Sequence, residues 1–344
     1  MNTSRRALRN RRTIRIVLVV ATIISAFFGN QAAPAGAPVW TSYAQGAVNG
    51  LLAATPLVLL EIYGMQTAFG ERLRRLPLPA YLGAKMAIYA VVIVGAYILS
   101  RLIFLEFYVQ PIRVRAVETW SLIFGVFMSV GFNLAFELGG LLGWGTLKNL
   151  LTGRYVQPRA EQKTFLLIDM KDSTGLAERL GPIRFHHLLN DFFRDVSHAA
   201  VECDAEIHKY VGDEAILTWS NDAALADGAA LSCSFMVQDA IAARQAQYLE
   251  HFGAVPTFRA ALHCGQIVAG EIGDLRREVA YVGDTLNVAA RLLDAAKAAG
   301  RDVLVSTELL QRAKVPQDLK TEALPMLTVR GRAAPLAIAA LSRR

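Results

Sequence analysis

The chain has 344 residues, a formal net charge of +7 and 53% apolar residues, and this length suggests two or more structural units. Its mean hydropathy of +0.33 excludes a purely soluble protein of this size. Much of the positive charge lies in arginines around the apolar segments, which is typical of contact with anionic lipid. Because the sequence also contains no nucleic-acid-binding motif, nucleic acid is excluded as a partner.

Four apolar segments before residue 150 approach the roughly 20 residues that cross a bilayer. They lie at about 16–29, 46–65, 82–105 and 119–142. The first follows a cluster of arginines, as in a secretory signal, but the sequence has no convincing small-residue cleavage pattern, so we predict a retained helix. The sequence thus predicts a basic tail at 1–15 and a four-helix transmembrane domain at 16–145.

Arginines predict the orientation of these helices, since arginine favours the cytoplasmic side of short loops. The loop at 30–45 has no charged residue, whereas the amino tail and the second loop are basic. The basic residues are Arg5, Arg6, Arg9, Arg11, Arg12, Arg15, Arg72, Arg74 and Arg75. Arg113 and Arg115 in the third loop oppose the rule, although Glu106 and Glu118 flank them. We predict a multi-pass protein of the inner or plasma membrane with both termini cytoplasmic.

Ionisable residues within apolar segments are functional candidates, because placing a charge in a bilayer costs on the order of 3 kcal/mol on insertion scales. Glu61 and Glu137 are candidates for ligand sensing or helix contact, and Lys85 lies near the end of its span. Arg101 and Glu106 are also compatible with snorkelling to an interface. The predicted spans contain no histidine, which argues against bound haem.

The composition becomes polar at 146–162, where Gly153 and Pro158 predict a short linker between the membrane domain and a second domain. Three cysteines follow it, at positions 203, 233 and 264. Because their number is odd and their spacing is not that of a metal site, they are read as reduced structural thiols.

Strands and helices alternate after the linker, with hairpins between them, which favours an α+β sandwich. A buried strand is predicted at 164–170, followed by a helix beginning near Ser173. The remaining predictions, in chain order, are a helix at 182–201, a hairpin at 208–219, a helical stretch at 222–250, strands at 257–264, 266–272 and 278–282, and a helix at 284–298.

Two aspartates stand at the ends of predicted strands. Asp169 closes an apolar strand, and Asp213 lies in the turn of the hairpin "HKYVGDEAILTW". Either one alone is also what an ordinary turn contains. Two neighbouring strands would bring them together, and adjacent carboxylates are costly unless a divalent cation lies between them. Oxygen ligands of this kind suit magnesium or manganese.

A second polar pair lies in "YVGDTLNVAARL", where Asn287 and Arg291 are four residues apart and share a helix face. Exposed helices often carry such a pair. Here the flanking residues are apolar or small, so we expect both side chains to be embedded in a packed surface, where an unpaired charge is expensive. This interpretation gives the pair an anionic partner.

Four stretches occur in order in the second half of the chain: "FLLIDMKDSTGLAERLG", "IHKYVGDEAILTW", "ALHCGQIVAGEIG" and "YVGDTLNVAARL". Together they resemble the class III nucleotidyl cyclase catalytic domain over roughly 163–341. Each motif alone is weak, but the order and the separations are family-like. The resemblance implies an α+β, ferredoxin-like palm domain at 163–344 that forms a homodimer and binds a nucleoside triphosphate at the dimer interface.

The resemblance also implies a role for each matching residue. Asp169 and Asp213 match the ligands of two metal ions, Mg²⁺ or Mn²⁺, in each active site. Lys209 matches the residue that recognises the purine. Asn287 and Arg291 match the pair that orients the ribose and stabilises the transition state. Glu214 matches no functional position.

Two further positions belong to the implied substrate-binding set, Thr285 and Ala280. The family usually has Asp or Thr where this chain has Ala280, and alanine has no side-chain hydrogen bond to offer the base. Lys209 still favours ATP over GTP, because guanylate-specific relatives tend to carry an acidic residue there and lysine can only donate.

The sequence therefore predicts a membrane-bound adenylate cyclase that converts ATP to 3′,5′-cyclic AMP and pyrophosphate and is regulated through its membrane domain by an unknown ligand or protein. A guanylate cyclase is one alternative. The other is a catalytically dead, cyclase-like module that binds nucleotide or dimerises within a membrane receptor. Retention of the metal-binding, base-binding and transition-state residues argues against the dead module.

Overall fold

The computed structural model describes residues 5–31, 39–104, 114–275, 277–328 and 335–344. The chain folds as two compact units, Met1–Trp144 and Gly145–Arg344. Glu106 and Arg113 lie outside the described residues, as does the side chain of Arg101. The interfacial position predicted for Arg101 and Glu106 therefore also falls outside the described part of the chain.

The first unit contains α1 (Arg5–Gln31), α2 (Val39–Ile62), the short α3 (Ala68–Arg74), α4 (Leu78–Phe104) and α5 (Val114–Leu142). Four of its helices are long and apolar enough to cross a membrane, which confirms the four predicted candidates. Their spans are Arg5–Gly29, Val39–Gln66, Leu78–Ser100 and Ile123–Leu142. The arginines at 5–15 are already helical, so the basic segment is the first part of α1 and not a separate tail.

Glycines bring α1 and α2 into close contact. A Cβ atom added at Gly46 would lie 2.3 Å from the carbonyl oxygen of Ser25, and one added at Gly50 would lie 2.7 Å from the Ser25 Cβ. The spacing of Gly46 and Gly50 is the small-xxx-small pattern that lets membrane helices approach closely.

Lys85 lies at the centre of a polar cluster that joins three helices. Its side chain is fully buried, and its Nζ lies 2.8 Å from Glu61 Oε1 on α2 and 2.7 Å from Glu137 Oε1 on α5. Tyr89 donates a hydrogen bond to Glu61, and Tyr81 donates one of 2.7 Å to Glu137. Glu61 and Glu137 therefore make helix contacts, and Lys85, which lies near the start of its span, pairs with both of them in the interior of the bundle.

The second unit is built around one eight-stranded sheet. Its strands are β1 (Arg159–Met170), β2 (Glu206–Val211), β3 (Glu214–Ser220), β4 (Phe258–Ile272), β5 (Glu278–Val282), β6 (Val303–Ser306), β7 (Leu319–Leu327) and β8 (Leu336–Arg343). The strand order is β2-β3-β1-β4-β6-β8-β7, and β5 pairs with β4. Among the described strands β4 and β6 pair in parallel, and the other pairs are antiparallel.

The helices of this unit are α6 (Trp144–Leu151, which begins at the unit boundary), α7 (Ser173–Glu202), α8 (Asn221–Ala226), α9 (Ala229–Ala243), α10 (Gln245–Phe252), α11 (Asp284–Ala298) and α12 (Thr307–Arg312). Alternation along β1 sends Leu166 and Ile168 into the core that also contains residues of α7 and α9. Phe165 and Leu167 face the opposite core, which contains the buried face of α11. Burial on both faces explains why this strand is an unbroken apolar run.

Several element boundaries differ from the sequence predictions. The strand expected at 164–170 begins at Arg159, and the strands expected at 257–264 and 266–272 are one strand through Gly265. A Cβ at Gly265 would lie 2.6 Å from Thr285 Oγ1, so this glycine allows a close approach and does not end the strand. The stretch at 222–250 divides into three helices, while the two helices expected before it form α7 with a break at Gly181.

Candidate active site

The paired aspartates lie where β1 meets the β2–β3 hairpin. Asp169 is the penultimate residue of β1, and its Cα pairs with Glu214 in β3. Asp213 occupies the two-residue turn after Gly212, whose φ of +62° favours glycine. The Met170 amide donates a hydrogen bond of 3.4 Å to the Asp213 carbonyl, which ties the turn to the end of β1. The sheet thus brings Asp169 and Asp213 together, as the sequence predicted.

Three carboxylates repel one another at this corner. Burial and the neighbouring Asp213 carboxylate raise the pKa of Asp169. Burial, Asp169 and Asp213 raise the pKa of Glu214 to about 7. Such a corner is unfavourable for a chain alone and favourable for a divalent cation, whose charge offsets the repulsion.

The donor chemistry fits Mg²⁺ or Mn²⁺, which prefer carboxylate oxygens. Within the described ranges, no group of three or more His, Cys, Asp or Glu side chains is arranged to hold a metal ion. Asp169 and Asp213 would therefore hold such ions as a pair, and a bound phosphate group would have to complete the coordination.

Lys209 lies on β2, in the strand that leads into the turn containing Asp213. Its Nζ is 3.7 Å from Glu278 Oε1 on β5, and both side chains are partly exposed. Side chains two residues apart on a strand share a face, so Glu278 and Ala280 lie on the same side of β5. The carboxylate beside Lys209 therefore belongs to Glu278, which shares a strand face with Ala280 and was not among the predicted site residues.

Glu278 is absent from the predicted site residues because the family's base-contacting position falls on Ala280, two residues further along β5. Its signal in the sequence is the period of two along "EVAYV", which places an acid on the same strand face as Ala280. An exposed ion pair at the Lys209–Glu278 distance contributes little to stability. The contact is therefore of more interest for substrate recognition than for folding.

His208 is stacked on Tyr281, with ring centroids 4.4 Å apart and an interplanar angle of 26°. A register shift between Ile207 and Lys209 accommodates it in the β2–β3 ladder. Burial, followed by the positive charge of Lys209, lowers the pKa of His208 to about 4. The imidazole is therefore neutral at physiological pH.

This shift predicts a pH-dependent stability. Between about pH 6.5 and 4 the unfolded chain binds a proton at His208 and the folded chain does not, so folding loses free energy as the pH falls through this window. At pH 5 we expect a loss of about 1 to 2 kcal/mol from this residue. Thermal unfolding of the full chain at pH 7.5 and 5 should show a smaller difference for His208→Phe than for wild type. Equal differences would contradict the assignment.

Asn287 and Arg291 share one face of α11, as the spacing predicted, but that face is exposed. The Arg291 guanidinium lies 3.8 Å from Asp294 Oδ2, and both side chains are more than half exposed. The expectation of a packed surface is wrong, because the apolar neighbours, including Val288 and Leu292, pack beneath the helix on its opposite face. In the folded chain the pair is available to a partner from outside.

Thr285 is 4% exposed, and its hydroxyl donates a hydrogen bond of 2.8 Å to the Gln266 carbonyl. This contact joins the first turn of α11 to β4. The side chain is thus engaged within the chain, and its place in the substrate-binding set stays a prediction.

The predicted site residues fall into separate groups on the folded chain: the aspartate corner, the Lys209–Glu278 pair, and the exposed face of α11. Among the described residues no hydrogen bond or ion pair joins the aspartates to Lys209, Asn287 or Arg291. A reaction needing all of them would require a further component to bring the groups together.

Comparison with known proteins identifies the family of the domain that contains these residues. Residues 155–338 match the family described as the adenylate and guanylate cyclase catalytic domain. "Adenylate cyclase 2" of Rhizobium meliloti (strain 1021) is 33% identical over 310 residues, covering 88% of this chain and 85% of that protein. An "Adenylate cyclase" of Anabaena cylindrica is 26% identical over 159 residues, covering 45% of this chain and 31% of that protein.

Among solved structures, a bacterial light-regulated adenylyl cyclase is similar in fold, with a TM-score of 0.54 and 15% identity, covering 68% of this chain and 66% of that one. These findings define the class of protein as an enzyme with a nucleotide cyclase domain, which confirms the predicted fold and enzyme class. The chain belongs to the adenylate and guanylate cyclase catalytic domain family.

Proposed function

We propose that the chain is a membrane-bound adenylate cyclase, with both termini cytoplasmic, that converts ATP to 3′,5′-cyclic AMP and pyrophosphate at a homodimer interface. The observation that carries the proposal is the aspartate corner, where Asp169 and Asp213 meet within a domain of the cyclase family. The relative from Rhizobium meliloti, similar over most of both chains, bears the name of an adenylate cyclase.

The reaction forms a bond between the 3′ oxygen and the α-phosphorus, breaks the bond between the α-phosphorus and the oxygen that bridges it to the β-phosphorus, and releases pyrophosphate and the 3′ hydroxyl proton. Asp169 and Asp213 would hold two Mg²⁺ or Mn²⁺ ions, which when bound would lower the pKa of the 3′ hydroxyl and neutralise charge on the leaving group. Arg291 supplies positive charge to the crowded phosphate oxygens, and Asn287 hydrogen-bonds the ribose.

The separation of the aspartate corner from Asn287 and Arg291 on one chain supports an active site that two chains share. Asn287 and Arg291 are exposed on α11, and neither contacts the aspartate corner of the same chain. A second copy related by two-fold symmetry would supply the missing half to each site, since an isologous interface uses the same surface twice. A homodimer would thus contain two equivalent sites.

Base recognition is assigned to Lys209 together with Glu278. The ammonium donates to ring nitrogen acceptors of the base, and the carboxylate can accept from the exocyclic amine of adenine. Glu278 would provide the acceptor that Ala280 lacks. Guanine presents an acceptor oxygen where adenine presents its amine, so Glu278 favours ATP if its carboxylate faces that position of the base.

The central experiment uses the full chain in phosphatidylcholine nanodiscs with Mn²⁺ and either ATP or GTP, with products separated by chromatography. We expect cyclic AMP and pyrophosphate in equal amounts, with kcat/KM for ATP above that for GTP. Preference for GTP would favour a guanylate cyclase. Nucleotide binding without either product would favour the inactive module.

The base assignment predicts the effect of Lys209→Glu. The substitution places a second carboxylate beside Glu278 and removes the donor, so kcat/KM for ATP should fall by at least roughly tenfold. Lys320→Glu, on an exposed strand residue remote from the predicted site, is the matched control. Unchanged ATP kinetics in the Lys209 variant would show that another part of the pocket reads the base.

Regulation through the membrane unit is part of the same proposal. The buried Lys85 cluster joins three of the four candidate spans, so a change in any of these helices would alter its ion pairs. Such a bundle provides more structure than simple anchoring needs.

A further inference from the structure

Asp169 has strand neighbours of opposite charge on its two sides. In the ladder between β1 and β4 its Cα pairs with that of Arg259, and in the ladder between β1 and β3 it pairs with that of Glu214. Directly opposed residues of antiparallel strands project from the same face of a sheet, with Cβ atoms about 4.5 to 5.5 Å apart. The side chain of Arg259 therefore begins next to that of Asp169, on the side away from the hairpin.

Arg259 projects from the face of the sheet that α11 covers. Its neighbour Ala260 lies in the core that contains residues of α7 and α9. Ala261, two residues along β4 from Arg259, lies in the opposite core beneath α11, as does Leu167, two residues before Asp169. The carboxylate and the guanidinium therefore belong to the α11 side of the sheet.

The turn that follows α11 places a second cation near Arg259. The Ala260 amide donates a hydrogen bond of 2.7 Å to the Asp302 carbonyl, and the Gly300 amide donates one of 3.3 Å to the Lys297 carbonyl. These bonds connect the last turn of α11 to the start of β4. Lys297 lies in that last turn and is exposed. Lys297 and Arg259 thus belong to the same edge of the sheet.

Both cations act on Asp169. Burial and the Asp213 carboxylate raise the pKa of Asp169. Arg259 and Lys297 oppose this rise, whereas Asp294 adds to it. In the part of the chain that the structure describes, neither cation makes a hydrogen bond or an ion pair. Their donors therefore remain available to a ligand.

Two neighbouring cations differ, because each has a carboxylate partner. Lys171 pairs with Asp302, and Arg301 Nη2 lies 2.6 Å from Glu322 Oε1. Arg259 keeps its five donors in a planar fork, which matches the oxygens of a phosphate group. An acidic side that suits divalent cations and a basic side that suits phosphate oxygens together fit a diphosphate with its bound ions.

We propose that Arg259 binds the phosphate oxygens of the pyrophosphate leaving group, with Lys297 as a second contact. When the bond to the α-phosphorus breaks, the bridging oxygen leaves with the electron pair, so negative charge accumulates on the pyrophosphate. A fixed guanidinium at that place stabilises the transition state as well as the bound product. This inference rests on the proposed cyclase function and assigns it a further catalytic residue.

Two inhibitors separate contact with the leaving group from a general effect on the site. Inorganic pyrophosphate represents the leaving group alone, whereas AMP carries the base, the ribose and the α-phosphate without it. Inhibition constants are measured with the full chain in phosphatidylcholine nanodiscs with ATP and Mn²⁺. For Arg259→Gln we expect the constant for pyrophosphate to rise by roughly tenfold and that for AMP to change by less than about twofold. Titration calorimetry with pyrophosphate and Mg²⁺, without ATP, should give the same ratio of dissociation constants.

Three further variants define the contact. Arg259→Lys keeps the charge without the fork, so it should recover part of the pyrophosphate affinity. Lys297→Gln should weaken pyrophosphate binding by a smaller factor, about threefold, because an exposed charge is screened by water. Arg194→Gln is the matched control, since Arg194 is exposed on α7, across the sheet from α11. It should bind both inhibitors like wild type.

The proposal is overturned if folded Arg259→Gln binds pyrophosphate like wild type. It is also overturned if this variant loses pyrophosphate and AMP to the same extent, because that pattern marks a distorted site. If circular dichroism shows that Arg259→Gln does not fold, wild-type pyrophosphate affinity in both Arg259→Lys and Lys297→Gln overturns the proposal instead. Failure of the cyclase function is a separate result, in which wild type forms no cyclic nucleotide while calorimetry still measures pyrophosphate binding.

Discussion

Asp169→Asn and Asp213→Asn chains are expected to lose cyclisation by a factor of at least about 10² while becoming no less stable. Each substitution removes a carboxylate that holds the ions needed to stabilise transition-state charge, and removal of one such stabilising group costs roughly 10² to 10³ in rate. Rates are measured with ATP and Mn²⁺ in nanodiscs. Asp318→Asn, at an exposed position before β7, is the control and should keep full activity.

Stability separates this result from simple unfolding. Burial and the nearby Asp213 raise the pKa of Asp169, which means that the folded chain disfavours the charged form. A neutral amide relieves that repulsion, so Asp169→Asn should unfold at the same temperature as wild type or higher in the absence of divalent ions. A variant that keeps more than a few per cent of activity, or that unfolds earlier, contradicts the assignment.

Mixtures of Asp169→Asn and Arg291→Ala chains are expected to recover on the order of a quarter of wild-type activity, although each variant alone is inactive. In a mixed dimer one site receives both defects and the other receives neither. With free exchange about half of the dimers are mixed, and each retains one of its two sites, since a two-fold interface uses the same surface twice. The exposure of Arg291, which makes no hydrogen bond or ion pair with Asp169 or Asp213 among the described residues, is the structural reason for this expectation.

The measurement needs evidence that mixed dimers form, for which chains with two different affinity tags and sequential purification are sufficient. Two Asp169→Asn chains with different tags provide the control, because every dimer then lacks a wild-type site and no activity should return. If the purified mixed dimers remain inactive, each chain builds its own site and the shared interface must be abandoned.

The sequence predicted the aspartate corner well, because the order of strands and turns along the chain largely determines where Asp169 and Asp213 lie. A strand that ends at Asp169 and a short hairpin that turns at Asp213 leave few arrangements, and the sheet places the two together. The exposure of Asn287 and Arg291 could not be obtained in the same way. When apolar residues flank a polar pair on both sides, the sequence of the helix alone does not show which of its faces packs against the sheet.

The membrane unit shows the same limit. Hydropathy located four candidate spans, because each segment is read independently. The role of Lys85 depends on which helices surround it, and distance from a segment end is a poor guide when carboxylates from two other helices can reach the ammonium. The strand period places Glu278 on the face of Ala280, but its proximity to Lys209 depends on the tertiary fold.

The central position of β1 affects the order in which the chain can fold during synthesis. β3 follows soon after β1 and can cover one edge, but the partner on the other edge is β4, with Asp169 opposite Arg259, 90 residues later in the chain. At ordinary translation rates that interval lasts roughly 5 to 20 seconds. Throughout it an apolar strand with one unpaired edge is exposed to neighbouring nascent chains. Substitutions that weaken β4 should therefore reduce the yield of folded protein by aggregation before they measurably change the catalysis of the molecules that survive.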